Sequence, residues 1–244
     1  MNDNFDTKNK YFDESHSPDD LDNSPRDSYK KFLTKGHAQS YLQQMQWINN
    51  LKDVKSIFEV GPGEGFCYFN LKKSGFIYET LDAPDAQNSS LVKIDYIQEF
   101  SKFNHLNHPK RYDCTCAFQV LEHFKFEEFI KNLEKLKNLS EKYIFISLPY
   151  SGYGFSVKLG FHLKQNLTLQ KKYNLYIPSL KPQRKYREEF IKRYPYAVHY
   201  WEIGRLGTQF YKIKKIIEKL NLKIIRKGHG ENPYHYFILM KKIN

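Results

Sequence analysis

The stretch Ser56 to Gly65, S-I-F-E-V-G-P-G-E-G, constrains this chain more than any other. Five residues of strand character, Ser56 to Val60, run into glycines at alternate positions, Gly61, Gly63 and Gly65. Phe66 to Ser74 follows with a helical pattern. A strand, a glycine turn and a helix start in that order make a ligand cradle. Glycine admits φ > 0 and lets backbone approach a bound group with no Cβ in the way. The helix start behind it offers unpaired N–H groups to an anionic group such as a carboxylate or phosphate. Two phosphate-binding patterns do not fit. The dinucleotide fingerprint asks for glycine where Phe66 stands, and the Walker A loop asks for G-K-[ST] where the chain has Gly65-Phe66-Cys67.

Strand and helix patterns alternate on either side of the turn. A helical segment at 28–51, with Gly36 as a break, precedes it. After it come strands at 77–81, ending in Asp82, at 91–94, followed by Asp95, and at 113–118. An amphipathic helix spans about 124–139, and a fifth strand at 143–148 ends at Pro149-Tyr150. A helix faced by Phe210, Ile213, Ile216, Ile217 and Leu220 leads to strands at 222–226 and 235–240. The alternation predicts an α/β fold with a doubly wound, Rossmann-like sheet.

E-x-G-x-G-x-G, with Glu59 closing the first strand, resembles motif I of the class I S-adenosylmethionine-dependent methyltransferases. Val120-Leu121-Glu122-His123 after the fourth strand resembles an element that many of them carry there, as in type 11 and type 12 domains. The resemblance covers about 52–150 and 206–242. It implies a seven-stranded sheet whose last strand runs antiparallel between the fifth and sixth. It implies S-adenosylmethionine as cofactor and S-adenosylhomocysteine as product. The methionine part would lie on Gly61, Pro62, Gly63 and Gly65, with its ammonium group held by Glu59. Asp82, 21 residues after Gly61, stands where a carboxylate accepts hydrogen bonds from ribose hydroxyls. Asp95 lies near the adenine or caps a helix. Gln119, Val120 and the rest of V-L-E-H shape the pocket wall, with general-base chemistry at His123 as the alternative. Pro149-Tyr150 is not the N-P-P-Y element of adenine and glutamine N-methylation, which follows the fourth strand.

The formal net charge is +12, unevenly spread. Residues 1–27 are acidic, polar and broken by Pro18 and Pro25, the composition of a disordered tail, leaving a domain over 28–244. Residues 151–205 are rich in Tyr, Lys and Arg and break the alternation, as a helical and aromatic substrate-binding insert would. The basic excess suits an anionic partner, or reflects a Lys- and Asn-rich genome. No apolar run spans a membrane and no secretory leader is recognisable. The three cysteines lack metal-site spacing, and Cys114 and Cys116 share one face of a strand. The expectation is a cytoplasmic protein with free thiols and no metal.

Methyl transfer from a sulfonium needs alignment above all. An oxygen acceptor also calls for a base, which His199, His162 or His123 could be. Tyr150, Arg184, Tyr200 and Trp201 are candidates to hold the acceptor, with Trp201 and Tyr200 as core anchors being the alternative. The resulting expectation is a methyltransferase for a small or glycan-like, anionic acceptor, with O-methylation favoured. The alternatives are an RNA methyltransferase using the basic insert and a non-catalytic cofactor-binding module.

Overall fold

A computed structural model describes residues 35–63, 65–84, 92–163, 167–193, 198–230 and 232–243. The acidic tail lies outside them. Strands β1 (Ser56–Val60), β2 (Ile77–Asp82), β3 (Tyr96–Ile97), β4 (Tyr112–Phe118) and β5 (Ser140–Pro149) pair in parallel. The strands that complete the sheet are β8 (Leu222–His229) and β9 (His235–Lys242), in the order β3-β2-β1-β4-β5-β9-β8. β9 runs antiparallel to both its neighbours. Near-continuous apolar runs such as Tyr143 to Leu148 are what a sheet covered on both faces demands.

Successive residues of a strand face opposite layers. On β1, Ile57 joins Trp47, Cys67, Leu71 and Phe145 under α1 (Lys35–Asn49) and α2 (Phe66–Lys73). Phe58 joins Phe129, Leu133, Ile213 and Ile217 under α3 (Phe129–Leu139) and α5 (Phe210–Lys219). Cys114 and Cys116 are fully buried side by side, their sulfurs 3.8 Å apart. Strand order reverses direction between β1 and β4, which opens a crevice at their carboxyl ends.

Three local expectations change, while the helix α1 is described only from Lys35, so the expected break at Gly36 borders residues outside the described ones. The third strand lies at Tyr96–Ile97, beyond Val92 and Ile94, which are buried without pairing. The Asp95 carboxylate accepts the Thr80 N–H at 3.0 Å and so occupies the edge of β2 there. Two 3₁₀ turns, Leu121–His123 and Phe126–Glu128, precede α3 in place of one long helix. The insert is chiefly a β-hairpin, β6 (Gly152–Leu163) with β7 (Leu167–Pro178), followed by the six-residue helix α4 (Glu188–Arg193). Tyr153, Phe155 and Val157 pair with Ile177, Leu175 and Tyr173, an alternation of aromatic and branched side chains that suits strands. Among the described residues, no helix is long and apolar enough to cross a membrane.

Candidate active site

The turn after β1 has the geometry of a cradle. Gly61 takes φ 65° and donates its N–H to the Leu81 carbonyl at 2.8 Å. A Cβ there would stand 2.7 Å from Val120 Cγ2. Gly65, at φ 74°, occupies the N-cap position of α2, and a Cβ on it would overlap Val92 Cγ2 at 2.1 Å. Above Gly63 a Cβ would meet no atom within 4 Å, so this part of the turn faces open space. Pro62 between them is buried.

Two carboxyl groups flank the turn. Glu59 is 3% exposed and accepts the Tyr78 hydroxyl at 2.8 Å. Burial pushes it up to about 8; the Tyr78 hydrogen bond opposes the rise and the charge of Asp82 adds to it. Asp82 is half-buried at the end of β2, one oxygen capping the Ala83 N–H at 2.9 Å. The open space above Gly63 and the buried acid beside the turn fit a compact cationic amino acid moiety. Asp95 is tied to both the N–H and the hydroxyl of Thr80 on β2, and strand β3 rather than a helix follows it.

At the end of β4, Gln119 has φ 57°, uncommon for a residue with a side chain. Its N–H donates to the Ser147 carbonyl at 3.1 Å and its side chain to the Ser147 hydroxyl at 3.2 Å. This bend starts the 3₁₀ turn that carries Glu122 inward. Glu122 is fully buried and pushed up to about 8 by that burial, with the charge of Glu202 adding to the rise. His123 meets His199 edge-on, ring centroids 4.9 Å apart. His123 Nδ1 lies 3.0 Å from the Val198 carbonyl and His199 Nδ1 lies 2.9 Å from the Tyr234 hydroxyl. Burial depresses both imidazoles, His199 to about 3 with help from His123, Arg184 and His235. His199 is therefore a poor proton acceptor at neutral pH.

The other candidates divide. The backbone places His162 on the hairpin opposite Thr168. Trp201 is 1% exposed, packs on Phe126 and Phe129 at 5.1 and 5.2 Å and donates its indole N–H to the Phe124 carbonyl at 3.0 Å. This makes it a core anchor with no face left for substrate. Tyr200 packs against the same core and gives its backbone N–H to the Glu122 carbonyl at 2.9 Å. Arg184 pairs with Glu202 at 3.6 Å, and Glu202 holds Arg205 at 2.5 Å. Tyr150 lines a different cavity, of about 260 Å³, with Tyr176, His229 and Tyr236. Tyr234 was not singled out from the sequence, and Glu122 entered only as part of V-L-E-H. Adjacent charged residues immediately after a buried strand were the available signal for Glu122.

No protein-family model matches the sequence, and no curated protein matches it. Solved structures share its fold. Magnesium protoporphyrin IX methyltransferase from Synechocystis PCC 6803, with bound SAH, aligns at a TM-score of 0.51 and 14% identity over 85% of this chain and 84% of its own. The CcbJ methyltransferase from Streptomyces caelestis aligns at 0.50 and 10% over 84% and 90%. An O-methyltransferase family protein from Burkholderia thailandensis aligns at 0.54 and 8% over 89% and 59%. The chain thus has the Rossmann-like fold of the S-adenosylmethionine-dependent methyltransferases.

Proposed function

We propose that this chain transfers a methyl group from S-adenosylmethionine to a hydroxyl group of a small or glycan-like acceptor. The observation that carries the reading is the glycine turn with an acid on either side. Left-handed Gly61 and Gly65 let the turn pack against Val120 and Val92, Gly63 faces open space, Glu59 offers a buried carboxyl to an ammonium group, and Asp82 ends the neighbouring strand. The adjoining wall begins at Val120, in contact with Gly61, and leads within three residues to His123.

In the transfer the sulfonium S–CH₃ bond breaks as the O–CH₃ bond forms, leaving a neutral thioether, while the acceptor hydroxyl loses its proton. This chain's residues align acceptor and methyl, which in favourable cases is worth about 7–11 kcal/mol. Glu122, His123 and His199 line the place where the acceptor oxygen arrives and its proton leaves. The hairpin, α4 and the Arg184 segment form the acceptor-side insert over about 151–205 of a domain spanning 28–244.

Calorimetric titration of S-adenosylmethionine and S-adenosylhomocysteine tests the reading. Micromolar binding is expected, and Asp82→Ala weakens it at least about tenfold by removing charge-assisted ribose contacts. A wild-type protein that binds neither compound refutes it.

A further inference from the structure

Glu122, His123 and His199 each place one donor atom within 4.8 Å of the other two. Both oxygens of Glu122 are buried without a hydrogen-bond partner, although the residue is fully enclosed. An unmatched buried polar atom costs about 1–3 kcal/mol, and more if charged. Such a side chain calls for a partner that the protein itself does not supply.

The two histidines are prepared in the same sense. A carbonyl only accepts, so the Val198 oxygen fixes the proton on His123 Nδ1 and leaves the lone pair on Nε2. The Tyr234 hydroxyl lies 3.5 Å from Glu202 Oε1, and Glu202 is ion-paired to Arg205. Donating to that carboxylate, the hydroxyl accepts from His199 Nδ1–H, which again puts the lone pair on Nε2. Imidazoles held through Nδ1 by a carbonyl or a carboxylate relay are the outer-shell arrangement that orients histidine ligands.

We propose that Glu122, His123 and His199 bind one divalent transition-metal cation beside the glycine turn, with coordination positions left open for the acceptor oxygen. Two imidazole nitrogens and one carboxylate suit Mn²⁺, Fe²⁺, Co²⁺ or Zn²⁺, whereas Mg²⁺ and Ca²⁺ favour oxygen ligands. Metal–ligand bonds of about 2.0–2.2 Å set neighbouring donors about 2.8–3.6 Å apart, from octahedral to tetrahedral geometry. The donors, all within 4.8 Å of one another, must draw in toward that spacing when the cation binds. The cation balances the carboxylate that the fold leaves unmatched, and it lowers the pKa of a hydroxyl bound to it. The acceptor role rests on the methyltransferase reading; the metal site itself does not.

Metal-stripped full-length protein is titrated calorimetrically with MnCl₂, ZnCl₂ and MgCl₂. One equivalent of Mn²⁺ or Zn²⁺ is expected, at least about tenfold tighter than Mg²⁺, and Glu122→Gln weakens it at least about tenfold. The Co²⁺-loaded wild type is examined by proton NMR, which needs no variant to fold. Two solvent-exchangeable, hyperfine-shifted imidazole N–H resonances are expected, one from each Nδ1–H. Absence of stoichiometric Mn²⁺ and Zn²⁺ binding overturns the proposal, as does a Co²⁺ spectrum without those resonances. Binding unchanged in both Glu122→Gln and His199→Ala overturns it too. Titrating S-adenosylhomocysteine into the metal-free protein separates the two readings. Cofactor binding without metal binding rejects only the metal site. Metal binding without cofactor binding upholds the site and removes its acceptor role.

Discussion

Replacing Glu59 with Gln isolates one buried charge. The carboxyl group is raised from 4.5 to about 8, chiefly by burial, against the pull of the Tyr78 hydroxyl. Below pH 4.5 the group is protonated in folded and unfolded chains alike, and no penalty arises. Between pH 4.5 and about 8 the unfolded chain releases its proton while the folded chain holds it, so stability falls as pH rises. Above about 8 the penalty is constant. At about 1.4 kcal/mol per pH unit the window sets a ceiling of about 5 kcal/mol, and relaxation around the ion leaves about 2–4. Glutamine keeps an acceptor for Tyr78 and does not titrate. Urea unfolding of cofactor-free wild type and Glu59→Gln at pH 5 and pH 9 measures the difference. Wild type should lose about 2–4 kcal/mol more than the variant on going to the higher pH. Comparing the two proteins cancels Glu122, which is raised to about 8 as well. Parallel pH dependences would refute the reasoning, because they would mean that Glu59 is already ionised in the cofactor-free fold.

Two substitutions separate cradle from core. Gly61→Ala forces a Cβ to within 2.7 Å of Val120 Cγ2 at φ 65° and should lower affinity for S-adenosylhomocysteine about tenfold or more, with far-UV circular dichroism unchanged. Trp201→Ala should cost about 3–5 kcal/mol in urea unfolding, for the lost volume and the orphaned Phe124 carbonyl. Its cofactor affinity, measured where it is folded, should stay within about threefold of wild type; a larger loss would return Trp201 to the ligand site.

The parts of the fold that were legible are those whose cause is local. The turn at Gly61 to Gly65 announces itself because backbone at positive φ selects glycine, and β5 because a run such as Tyr143 to Leu148 has no polar face. The third strand was misplaced because Val92 and Ile94 have the burial of strand residues without the pairing, and pairing there depends on Asp95 meeting Thr80 across the chain. The insert's hairpin was hidden by the polar, Lys-bearing stretches around its centre, although the alternation at Tyr153, Phe155 and Val157 was present. Glu122 stood in a motif whose resemblance suggested only a pocket wall. That its carboxyl lacks a partner and meets His199 depends on how the chain returns after the hairpin, which no local pattern encodes.

The insertion of β9 between β5 and β8 also dictates an order of assembly. β8 and β9 are neighbours in sequence and close as a hairpin through local contacts, Ile224 opposite Met240. β9 must then find β5, whose Ser147 pairs with Phe237 from a distant part of the chain. Closing so long a loop is slow compared with zipping a hairpin. Until it happens, Ile144, Phe145 and Ile146 form an open, apolar strand edge, the kind that recruits a second unfinished chain. Refolding yield should therefore depend on concentration through this one docking event, at the flank of the sheet farthest from β3 and away from the glycine turn.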